Sequence, residues 1–219
     1  MTTGTDVERA FLIADLSGYT ALTEAHGNLE AAKVVTRYLE LARETGDPLV
    51  RLVERVGDEL VFVSDDSAAL VATAARLRDA VEREPRFPRL RAGLNLGPVL
   101  EQGGQFFGAA LNLAARVAEY ARAGQILCTE GIAARVTPLG RFTCRSLGAV
   151  RFKNVSGAVT VFELVEEAER RAKAIDPVCR MQVDEETAPA RLPWAGRTWH
   201  FCSFECARAF AGRPEDYAS

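Results

Sequence analysis

The chain has 219 residues, 48% hydrophobic and 26% charged, with a formal net charge of -3. That length accommodates one ordinary domain plus a small one, and the weak negative balance gives no footing for a nucleic-acid or anionic-membrane partner. No apolar run approaches the roughly 20 residues needed to cross a bilayer, and residues 1–8 lack an apolar signal core, so the chain reads as cytoplasmic.

In chain order, residues 10–14 (AFLIA) form a short apolar run of the kind that makes a buried strand, ending at Asp15. Asp15-Leu16-Ser17-Gly18 then turns the chain, with Gly18 as the flexible point. Residues 29–42 carry apolar side chains at helical spacing. Residues 49–56 and 60–63 are rich in Val and Leu on either side of Gly57-Asp58, which predicts a hairpin whose turn presents Asp58. Residues 67–84 predict an Ala- and Leu-rich helix, stopped by Pro85 and Pro88. Residues 91–100 predict a strand broken by Gly97-Pro98, followed by a Gly103-Gly104 turn and a helix over 109–122. Strands are expected over 126–129, 142–151 and 159–165. This order predicts an α+β fold of the ferredoxin-like kind, a sheet with helices on one face.

Residues 166–173 are charged and read as a helical linker, after which the character changes. Both tryptophans, three of the five cysteines and one of the two histidines lie beyond it. The expected domains are therefore residues 1–166 and 175–219, joined by 167–174.

Two aspartates stand where strands meet turns. Carboxylates such as Asp15 and Asp58, beside glycine, are well placed to share divalent cations and leave room for a phosphate. Taken alone, a strand-end Asp is more often a solvated turn residue. Asn112 and Arg116 lie four apart on a predicted helix, so an amide able to bond a sugar emerges beside a guanidinium able to clamp phosphate. By spacing alone, an ordinary exposed helix face explains that pair as well.

Together the motifs FLIADLSGYT (residues 11–20), ERVGD (54–58) and FGAALNLAAR (107–116) resemble the ordered signatures of the class III adenylate/guanylate cyclases. RFKNV (151–155), ahead of a closing strand, is similar to that family's final motif. The resemblance covers about residues 8–166. It implies that Asp15 and Asp58 hold two Mg2+ or Mn2+ ions, that Asn112 orients the ribose, and that Arg116 stabilises charge on the α-phosphate. Lys153 would contact the triphosphate, and the backbone at Leu16, Ser17 and Gly18 would cradle phosphate oxygens. The resemblance also implies a head-to-tail homodimer, with the aspartates from one subunit and the Asn112/Arg116 pair from the other.

Two positions depart from the commonest pattern. Adenylate-selective members usually carry Lys where this chain has Glu54, and a carboxylate suits the N1–H and N2–H donors of guanine. The partner position is Gln105, whose amide both donates and accepts and serves either purine. ATP and GTP both remain open, with ATP ahead on family frequency alone. A weak or inactive cyclase fold that binds nucleotide or senses metal is the alternative.

The C-terminal segment has DPVC around Cys179 and FCSFEC around Cys202 and Cys206. Thiolates four apart share a helical face, and a third from a distant loop completes a soft metal site. Buried thiols packed on Trp194, Trp199 and Phe210 explain the cluster equally well on spacing alone. Residues 175–217 resemble the YHS domain, related to TRASH-type modules. That resemblance implies a short hairpin near Gly196, a helix, and a cysteine site for Zn2+ or copper at Cys179, Cys202 and Cys206. The fourth ligand is unidentified; His200 is in range, but alternation along its strand turns it away.

Overall fold

The computed structural model describes residues 4–165 and 174–218. The predicted linker over 166–173 lies outside the described residues. In the first region β1 (Thr5–Ser17) leads to α1 (Tyr19–Glu44), then to the hairpin β2 (Arg51–Val56) and β3 (Glu59–Ser64) and to α2 (Ser67–Arg83). There follow β4 (Arg89–Gln102), β5 (Gln105–Phe107), α3 (Ala109–Tyr120), β6 (Ile126–Thr129) and α4 (Glu130–Val136). β7 (Thr143–Val150) and β8 (Val159–Val165) close the sheet.

The sheet runs β2-β3-β1-β4-β6-β8-β7, with β5 folded back on the end of β4. β4 and β6 are parallel and every other pair is antiparallel. The parallel pair requires a crossover, and α3 supplies it. Alternation along the strands divides the core between the two faces. Leu12, Ala14 and Leu16 pack with α1, α2 and α4, whereas Phe11 and Ile13 pack with Ala110, Ala114 and Ala118 of α3. The expectation of helices on one face is thus corrected: α3 covers the opposite face. Gly93 permits this, because a Cβ there would collide with the α3 backbone at Ala114 and Ala118. Buried Asn95 locks the arrangement, donating to Ala110 O at 2.9 Å and accepting from Thr129 at 2.8 Å.

Three elements differ from expectation by more than two residues or in continuity. β1 does not end at residue 14 but stays paired with β4 through Ser17↔Arg89. The helix expected over 29–42 begins at Tyr19 and is interrupted once, at Gly27 (φ 80°, ψ 169°), so a separate helical segment, 19–26, precedes the long part. β4 runs unbroken through Gly97-Pro98: β6 pairs only with Ala92–Leu94, so the proline removes no ladder bond on that edge. α2 begins where expected, its N-terminus capped by Asp66, which accepts from the N–H of Ala68 and Ala69.

The second region holds β9 (Ala174–Ile175), β10 (Gln182–Val183), the hairpin β11 (Ala190–Trp194) and β12 (Arg197–Phe201), and α5 (Phe204–Gly212). The hairpin turn is Ala195-Gly196, both at positive φ (49° and 79°), as a tight two-residue connection demands. Trp199 and Phe201 pack on Phe210. This region is not separate from the first. Val178, Met181 and Phe210 belong to the same core as α1 and α2, and the Gln182 N–H donates to Phe87 O at 2.6 Å.

Candidate active site and cysteine centre

Asp15 continues the Phe11/Ile13 face of β1, and Asp58 sits in the β2–β3 turn after Gly57 (φ 62°). Pairing of β1 with β3 brings the two together: the Leu16 N–H donates to Asp58 Oδ2 at 3.3 Å. Burial, and then the neighbouring Asp15, push the Asp58 carboxyl up to about 7. Glu59 is raised as well, by burial and then by Asp15 and by Glu119 of α3. Crowded carboxylates of this kind fit hard divalent cations, whose charge relieves the repulsion and whose preferred ligands are oxygens. Arg91, the cross-strand neighbour of Asp15, grips Asp15 Oδ2 through both Nε (2.8 Å) and Nη2. Nothing in the chain order flags Arg91; only the β1–β4 register pairs it with Asp15.

Glu54 and Gln105 line one cavity of about 310 Å³, together with Val53, Phe106 and Leu111. A β-bulge between Leu52 and Glu54 sets the aim of that stretch of β2. The two positions singled out for purine choice are therefore neighbours. On α3, Asn112 is exposed and Arg116 pairs with Glu119 at 2.7 Å. Lys153 is exposed in the β7–β8 connection. Among the described residues no hydrogen bond or ion pair joins Asn112, Arg116 or Lys153 to the two aspartates. Gly18 (φ 90°) stands at the N-terminus of α1, which no side chain among the described residues caps. The expected loop cradle at Leu16 and Ser17 is strand, with the Leu16 N–H directed to Asp58.

In the second region Cys179, Cys202 and Cys206 converge. Sγ separations are 3.3 Å for Cys179–Cys202 and 3.8 Å for Cys202–Cys206. Cys202 precedes α5 rather than riding on it, and Ser203 caps the helix, accepting from the Cys206 N–H. Asp176, fully buried, accepts from the N–H groups of Val178 (2.8 Å), Cys179 (3.3 Å) and Cys202 (2.7 Å). It binds two separate cysteine-bearing segments to one carboxylate, while burial raises its pKa. The Cys179 and Cys202 thiols drive Cys206 toward the thiolate, and Cys179 is raised in return. A deprotonated sulfur beside two more fits a borderline or soft cation.

Comparison with known proteins bears on both regions. A YHS domain family model matches residues 174–219. A pH-sensitive adenylate cyclase of Mycobacterium tuberculosis is 31% identical over 160 residues, 72% of this chain and 40% of that protein. The chain spans less than half the length of the curated relatives it matches. The adenylyl cyclase CyaB of P. aeruginosa superposes with a TM-score of 0.65 at 18% identity, over 78% of this chain and 100% of that one. The guanylyl cyclase Cya2 gives 0.65 at 21% identity, over 76% and 96%. The chain therefore joins a domain of the class III nucleotide cyclase fold to a YHS domain.

Proposed function

We infer that the N-terminal region is a nucleotide cyclase, converting ATP or GTP to the 3′,5′-cyclic nucleotide and diphosphate. The observation that carries this reading is the Asp15/Asp58 pair brought together where β1 meets the β2–β3 turn, in a chain whose Glu54 and Gln105 share one cavity. Divalent Mg2+ or Mn2+ at the aspartates supplies Lewis acidity, lowering the pKa of the ribose 3′-hydroxyl and offsetting phosphate charge. In this reading Arg91 keeps Asp15 oriented, and Glu54 and Gln105 hold the purine edge. The α1 N-terminus at Gly18 receives phosphate oxygens together with Lys153. Asn112 orients the ribose, and Arg116, released from Glu119, donates to the α-phosphate as charge builds.

The exposure of Asn112 and the surface pairing of Arg116 support a homodimer in which each completes the site of the other subunit. Sequence relatives named adenylate cyclases favour ATP, and the carboxylate of Glu54 favours GTP. No helix among the described residues is long and apolar enough to cross a membrane. The five cysteines are free thiols, which fits a reducing, cytoplasmic setting. Incubation of the chain with ATP or GTP and Mn2+, read by mass spectrometry, tests the reading. Cyclic product from either nucleotide supports it, and its absence from both defeats it.

A further inference from the structure

We propose that His26, from the cyclase-fold region, is the fourth ligand of a Cys3His zinc site that staples the YHS domain to α1. His26 Nε2 lies 3.6 Å from Cys202 Sγ and 3.5 Å from Cys206 Sγ. The four ligand atoms of His26, Cys179, Cys202 and Cys206 all lie within 4.8 Å of one another. A tetrahedral ion with Zn–S of about 2.3 Å and Zn–N of about 2.0–2.1 Å sets sulfurs about 3.8 Å apart and sulfur to nitrogen about 3.6 Å apart. The Cys202–Cys206 and both histidine separations match those values. The Cys179–Cys202 separation of 3.3 Å is shorter than the tetrahedral value.

Local structure explains why His26 reaches the cluster. It is the last residue before the Gly27 break in α1, so it closes a short helical segment whose direction is independent of the longer one. That segment, through Ala21, Glu24 and Ala25, forms one wall of a cavity of about 360 Å³ whose far wall includes Val178, Glu205 and Cys206. The cavity gives a cation a route to Cys206 past two carboxylates. The same docking brings Arg180, next to Cys179, against Gly18, where its side-chain stem fills the space a Cβ would need. A metal held by both regions therefore also fixes the covering of the β1–α1 junction.

The inference does not depend on cyclase activity, and its test reads the metal directly. The reduced, metal-free full chain is titrated with Co2+, whose visible bands report tetrahedral thiolate ligation, and with Zn2+ against a chromophoric chelator. Loss of an outer-shell partner of a metal ligand already weakens binding about 10- to 100-fold, so His26→Ala is expected to weaken Zn2+ binding at least about tenfold. It should also lose the tetrahedral Co2+ band, and added imidazole should restore it. His200→Ala should behave as the parent chain. X-ray absorption of the zinc-loaded parent chain should give three sulfurs and one imidazole, a readout that needs no variant to fold. Unchanged affinity and spectrum in His26→Ala, an effect of His200→Ala in its place, or absence of imidazole scattering would each overturn the proposal.

Discussion

Replacing Glu54 by Lys tests the purine pocket independently of which nucleotide the chain prefers. Glu54 borders the cavity of about 310 Å³ with Gln105, and in the function proposed above its carboxylate accepts two hydrogen bonds from a guanine edge. Bonds to a charged group contribute about 1.5–3 kcal/mol each when desolvated, and Glu54 is exposed, so about 1.4 kcal/mol each, just below that range, is the appropriate value. Two such bonds lost total about 2.8 kcal/mol, which is about 100-fold in kcat/KM. An ammonium at the same place repels the guanine donors and donates to adenine N1 instead. Glu54→Lys should therefore lower the GTP-to-ATP ratio of kcat/KM by about 100-fold, whatever its starting value. Cyclic products from the two nucleotides in competition, quantified in one reaction, measure that ratio directly. A ratio shifted by less than about threefold, with turnover retained, would refute contact between Glu54 and the base.

Other outcomes follow from the same geometry. Because the folded-state pKa of Asp58 is raised from 3.8 to about 7, the stability it contributes is complete below its ordinary value and is lost as pH rises through 7. Thermal unfolding in Mg2+-free buffer should thus fall across that window in the parent chain and fall less in Asp58→Asn. Mixing inactive Asp58→Ala and Arg116→Ala chains should restore up to about a quarter of parental activity, since half of the random dimers then carry one intact site of two. No recovery on mixing active-site variants would place the whole site in one chain. Asp176→Ala leaves three buried N–H groups without their acceptor, at about 1 kcal/mol or more each. It should destabilise the YHS domain by about 3 kcal/mol, seen as faster hydrogen exchange at the Cys179 and Cys202 amides.

Local chemistry alone determined much of this protein. The apolar run 126–129 became β6 and 159–165 became β8 without adjustment, and α2 started at its Asp66 cap. Gly57-Asp58 made the hairpin turn because glycine there takes a positive φ that other residues avoid. Those signals reside in neighbouring residues, so the order of side chains is enough to read them. The helix segment 19–26 escaped notice because the Gly27 break interrupts its periodicity, and α4 because seven residues make too short a repeat.

What pairs with what was decided by the tertiary structure. Arg91 meets Asp15 only through the β1–β4 register, and α3 lies opposite the other helices only because Gly93 lets its backbone approach. The cysteine centre is the clearest case. Spacing exposed three thiols, and the nearest histidine along the chain, His200, was the natural fourth partner to weigh. The histidine at the cluster is instead His26, 176 residues before Cys202, delivered by the docking of one domain on the other. A metal site is defined by distances of a few ångströms, and sequence separation carries no information about them once two regions share a core.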